Sequence, residues 1–165
     1  MPVSASITQS DLMKRLLSPF LLLTLLAAIL TACSNISRVI STGLDVEIIS
    51  IERTGEGTAA VSWHVKNSNV VPYLLSHVNH KIQLNGTELG VIDEKEALAV
   101  PTNSNAGRTS KLTGLSAAAS RVLSEAVASG SASYHIDSQI TILIYDDSIE
   151  KATLTNSGTV SVKAK

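Results

Sequence analysis

From residue 44 onward, apolar and polar residues alternate in short runs that change phase at turn signals. Leu44, Val46 and Ile48 alternate with Asp45 and Glu47, and then Ile49 and Ile51 take the opposite parity. A two-residue period with one change of phase predicts a strand carrying a bulge or twist near Ile48. After the turn signal Gly55-Glu56-Gly57, the residues Ala59, Val61, Trp63 and Val65 share one face, opposite Ala60, Ser62, His64 and Lys66. That is the alternation of a half-buried strand. Val78, His80, Ile82 and Leu84 run into Asn85-Gly86, with a second apolar run over 88–92, which predicts a tight hairpin. A short strand over 97–100 is stopped by Pro101, and another covers 107–112, with a polar loop over 102–106 between them.

Between Gly114 and Gly130 the period lengthens. Leu115, Ala119, Val122 and Ala126 form one stripe, joined by Leu123 and Val127. This predicts an amphipathic helix, with Ser116 capping its first amides and Gly130 in the left-handed position after its last turn. Beyond it, Tyr134, Ile136, Ile140, Ile142 and Ile144 share one parity ahead of Asp146-Asp147-Ser148. Leu154, Thr159, Val160 and Val162 then predict a closing pair of strands broken at 156–158. Many short strands and one helix define a mainly β fold, an antiparallel β-sandwich with one amphipathic α-helix, over 43–163.

The first 32 residues follow a different logic. Lys14 and Arg15 precede an apolar run from Leu16 to Ala32, the charged and apolar regions of a secretory leader. At its length it lies at the lower limit of the roughly 20 apolar residues that a spanning helix needs. The leader closes on Leu30-Thr31-Ala32-Cys33, which resembles the bacterial lipobox. That resemblance implies that Cys33 receives a diacylglycerol, that residues 1–32 are removed as a lipoprotein signal peptide, and that residues 33–42 are the lipidated cysteine and a tether. Two or three acyl chains at ~0.8 kcal/mol per buried methylene make a durable membrane anchor. Met13-Lys14-Arg15 is the usual opening of such a leader, so translation is expected to start at Met13. Ser34 stands where an aspartate would resemble the inner-membrane retention signal. The expected location is therefore the inner leaflet of the outer membrane, facing the periplasm.

Composition narrows the classes of function. The chain of 165 residues is 44% hydrophobic, 3% aromatic and 16% charged, with a net charge of -1, which excludes a disordered charged tail. With no basic excess to neutralise phosphates, nucleic acid is not expected as a partner. Cys33 is the one cysteine, so neither a disulfide framework nor a cysteine-rich metal site is expected.

The segment Val61-Ser62-Trp63-His64-Val65-Lys66-Asn67-Ser68-Asn69, then Pro72-Tyr73-Leu74, Ile82-Gln83-Leu84-Asn85-Gly86, Pro101, the single helix and Tyr134-His135-Ile136 resemble the late-embryogenesis-abundant (LEA) type 2 proteins. These are also called the WHy (water stress and hypersensitive response) domain, and the resemblance covers roughly 44–162. It implies a fibronectin-III-like sandwich and a role in tolerance of desiccation, cold and heat. The departure is Ser68, where the family commonly has proline, and a serine does not fix φ.

His77 and His80, three apart on a strand, point to opposite faces and so are not expected to chelate one ion. His80 shares the parity of Val78 and Ile82 and is expected to be buried and hydrogen-bonded, whereas His64 and His135 are expected on the solvated side. No Gly-x-Ser-x-Gly elbow and no His-Glu-x-x-His spacing occurs in the chain. Asp93-Glu94-x-Glu96 and Asp146-Asp147 lack calcium-loop spacing and fit solvated turns. Trp63 is expected as a core anchor, and Asn67 and Asn69 as residues that bend the chain through side-chain to backbone bonds. No catalytic residue, metal ligand or cofactor is expected; the expected sites are Cys33 for lipidation and Leu30, Thr31 and Ala32 for recognition by the peptidase.

The expected function is that of a lipid-anchored, non-enzymatic envelope protein. Its partners would be membrane lipid through acylated Cys33, and partly unfolded protein clients or envelope proteins. The alternative is a periplasmic binding or adaptor module for another envelope protein or glycan, using the loop 102–108.

Overall fold

A computed structural model describes residues 43–144 and 148–165. Eight strands and one helix follow the chain as β1 (Leu44–Gly55), β2 (Thr58–Asn67), β3 (Tyr73–Leu84), β4 (Thr87–Glu94), β5 (Leu98–Val100), β6 (Ser104–Thr113), α1 (Ala117–Ser129), β7 (Ser131–Ile144) and β8 (Ser148–Ala164). The strands form one continuous sheet in the order β4-β3-β7-β8-β1-β2-β6, with β5 paired to β3. The sheet curls into a half-barrel, consistent with a sandwich-like fold. Its two outermost strands, β4 and β6, meet across the core through side chains. The Ser110 hydroxyl donates to Glu94, and a Cβ on Gly90 would meet Leu112.

Local chemistry explains most elements. The phase change in β1 is a register shift between Ile48 and Ser50 against β2. Asn85 and Gly86 take φ of 48° and 79°, the left-handed pair that a two-residue hairpin of matching twist requires. In α1, Ser116 caps by accepting from the Ala119 amide, and Gly130 at φ 76° ends the helix. The buried stripe of Ala119, Val122, Leu123 and Ala126 packs mainly on β4 and β8.

Three expectations are corrected. The closing segment is one strand, β8, and is not interrupted at 156–158. Gly158 pairs with Tyr134, and a Cβ there would lie 2.9 Å from the tyrosine ring; the glycine leaves room for the ring of Tyr134. β6 begins at Ser104, so most of the expected loop over 102–106 is strand, because β2 supplies partners down to Asn67. The β1–β8 pair is parallel, while every other pair among the described residues is antiparallel. Asp146 and Asp147 lie outside the described residues.

Candidate functional site

The expected lipid site, Cys33 with Leu30, Thr31 and Ala32, lies outside the described residues, as does the leader. No helix among the described residues is long and apolar enough to cross a membrane. The described chain begins at Gly43, which is held by the crossing from β2 to β3. The Ser68 amide donates to the Gly43 carbonyl at 2.7 Å. A Cβ on Gly43 would lie 2.2 Å from the Asn69 side chain, so a side chain here would displace the Asn69 amide. Fully buried Asn67 holds the crossing from β2 to β3. Its Nδ2 donates to the carbonyls of Val71 at 2.8 Å and Pro101 at 3.1 Å, and its Oδ1 accepts from the Asn69 amide at 2.9 Å. The bending role expected for Asn67 is therefore a latch that joins the end of β2 to the crossing over 69–71 and to the segment after β5.

Beside this latch, apolar side chains face outward. Five of the seven large apolar residues exposed among the described ones are Val70, Val71, Leu74, Leu143 and Ile149. Leu74 pairs with Leu143, and Leu143 with Ile149, so these three form a row on the outer face of adjacent strands. Their inward neighbours Leu75 and Ile142 are fully buried, as alternation requires. The end of β2, the starts of β3 and β8 and the end of β7 all lie at the end of the sheet where β1 begins.

The histidines separate by face. His80 is fully buried and shares a 2.7 Å hydrogen bond with the Ser138 hydroxyl. Its ring meets Trp63 edge to face, with centroids 4.3 Å apart. Trp63 Nε1 donates to Ser110 Oγ at 3.0 Å, and Ser110 donates onward to Glu94. A polar thread thus crosses the core from β3 through β2 to β6 and β4. Burial pushes the His80 imidazole down to about 4, so it is neutral at pH 7. The other three each face an acid. His64 lies 3.2 Å from Glu47, His135 lies 3.4 Å from Asp137, and His77 bonds Asp93. The hydrogen bonds from His77 and Asn79 hold the Asp93 carboxyl below the usual carboxylate range. His64 is less solvated than its parity implied, with 21% of its side chain exposed, because Glu47 on β1 covers it.

The acidic run is likewise engaged, with Asp93 and Glu94 inside β4 and not in the expected turn. Glu96 binds Arg108, whose guanidinium also donates to the Ala97 carbonyl at 2.7 Å. A cleft of about 570 Å³ at the helical end is lined by Arg53, Glu56, Leu115, Arg121 and Lys165 among others. Arg53 there donates to Ser124 at 3.1 Å. Sequence reasoning missed the pairing of acids with histidines; the signal for His64 is cross-strand register, which places Glu47 opposite it, and for His135 the two-residue spacing to Asp137 on one strand.

No protein-family model and no curated protein sequence matches the chain. Solved structures do resemble it. The solution structure of AT1g01470 from Arabidopsis thaliana gives a TM-score of 0.52 at 9% identity, over 73% of this chain and 79% of that one. A candidate late embryogenesis abundant (LEA) protein, At2g46140.1, gives 0.44 at 12% identity over 83% and 85%. A protein from Archaeoglobus fulgidus gives 0.43 at 15% identity over 73% and 95%. At such identities the likeness is one of fold, and the Arabidopsis thaliana protein AT1g01470 shares the described domain's architecture.

Proposed function

We propose that this is a lipid-anchored, non-enzymatic protein of the bacterial envelope that stabilises proteins or membrane during desiccation, heat or cold. The observation that carries the anchor is Leu30-Thr31-Ala32-Cys33 at the end of a charged and apolar leader. Acylated Cys33 would hold the domain at the inner leaflet of the outer membrane, facing the periplasm. The protective role is supported by the resemblance of residues 61–69, 72–74, 82–86 and 134–136 to the WHy domain, and the fold is compatible with it. A folded sheet does not replace water as a disordered polymer does, so protection would act by contact. Exposed apolar side chains are the surfaces that offer it.

The test is to dry or freeze a labile enzyme with the purified Cys33→Ala protein, against an equal mass of an inert folded protein. Recovery of activity well above that control is expected. Recovery equal to the control would overturn direct protection and favour the adaptor reading through residues 102–108.

A further inference from the structure

The apolar row and the start of the described chain share one end of the domain. In the parallel β1–β8 pair, Ser50 lies opposite Ser161, and Asp45 accepts a hydrogen bond from Asn156 at 3.0 Å, the same offset of 111 residues. β8 therefore extends past the start of β1, and Ile149 lies beyond Gly43 along the strand axis. Val70 and Val71 lie on the same rim, next to the bond between Ser68 and Gly43. Val70 is 84% exposed and Ile149 62%. The helix and the C-terminal residue lie at the opposite end, where Gly57 meets Leu115 and Lys165 meets Arg53.

We propose that this end is a membrane-docking face, on which Leu74, Leu143, Ile149, Val70 and Val71 rest against the lipid surface to which Cys33 is anchored. The inference rests on the lipidation of Cys33 proposed above. The length of chain supports the choice of lipid as occupant. Ten residue steps separate Cys33 from Gly43, which at ~3.5 Å each reach about 35 Å when fully extended. A flexible chain of that length has a typical end-to-end distance of only about 17 Å, against a diameter of about 35 Å for a domain of this size. The tether thus keeps the end bearing Gly43 at the bilayer and the helical end away from it. Ile36, Val39 and Ile40 give the tether an apolar character of its own. Asp146 and Asp147 join β7 to β8 on this side in sequence, so apolar contact, and not attraction to anionic lipid, would drive the docking.

Because Cys33 would be blocked by lipid, an introduced cysteine is a unique labelling site. The full processed protein, carrying Ile149→Cys or Glu56→Cys with an environment-sensitive fluorophore, is reconstituted into phosphatidylethanolamine–phosphatidylglycerol vesicles containing a doxyl-lipid quencher. Several-fold stronger quenching is expected at position 149 than at position 56, reduced when Leu74→Ser and Leu143→Ser are added. Equal quenching at the two positions on protein whose intact mass shows lipidated Cys33 would overturn the docking alone. An unmodified Cys33 would overturn the anchor and the docking with it. A fluorophore at 149 shielded from water yet not quenched by doxyl lipid would assign the face to a protein partner and overturn the lipid contact.

Discussion

Asn67 and Ser68 show how much one side chain and one amide do at the end of the sheet. Asn67 is fully buried, and its donors and acceptor satisfy three backbone groups, at Asn69, Val71 and Pro101. Asn67→Ala is predicted to leave those groups unsatisfied and to cost about 2–3 kcal/mol, read as a lower urea midpoint. At Ser68, where the WHy resemblance would place proline, the amide is in use as a donor to Gly43. Proline has no amide hydrogen, so Ser68→Pro is predicted to destabilise by about 1 kcal/mol despite its stiffening of the turn. A variant at least as stable as the parent in urea would contradict that role for Gly43. His80 supplies a pH dependence with a definite sign. Its pKa is 6.5 in the unfolded chain and about 4 when buried, so acid favours the unfolded state. The stability tied to its neutral form is complete above pH 6.5 and lost as pH falls to about 4, a loss of about 3 kcal/mol. Urea titrations at pH 7 and pH 4.5 should show a smaller acid loss in His80→Phe/Ser138→Ala than in the parent.

Among the elements, those governed by local chemistry were legible in the sequence. The shift of parity after Ile48, the Asn85-Gly86 hairpin and the Ser116 and Gly130 caps all act within a few residues, and the alternation about Trp63 marks its buried face directly. What required the partner strand was not legible. Gly158 read as a break because the Tyr134 ring that covers it lies on β7, and β6 read short because its first residues carry no apolar alternation and are held by β2. For the same reason, the side-chain thread linking His80, Trp63, Ser110 and Glu94 could not be drawn from spacing. Gly107 shows the point energetically. A Cβ there would lie 1.9 Å from the Trp63 carbonyl oxygen and 2.6 Å from the His64 Cα. Backbone atoms cannot yield as a flexible side chain does, so Gly107→Ala is predicted to part β6 from β2 and to cost about 3 kcal/mol or more. Hydrogen exchange confined to faster opening of 104–113 would locate the damage, whereas unchanged protection and stability would refute the close approach.

At the scale of the whole molecule, two features define the account. The half-barrel closes through side chains, Ser110 to Glu94 and Arg108 to Glu96. At one end the same sheet gathers the start of the described chain and an exposed apolar rim. The proposed anchor at Cys33 would give that arrangement its purpose, because an anchored domain acts at a surface. The expected leader rests on no part of the folded domain; it is read from charge, apolarity and the four residues Leu30-Thr31-Ala32-Cys33. The measurement that tests the account most directly is palmitate labelling and intact mass of the full chain expressed in a bacterial host, beside Cys33→Ala. The account predicts labelled protein beginning at Cys33, with a mass increased by diacylglycerol and acyl groups, and no label in the variant. Unlabelled protein with a free Cys33 thiol would contradict it.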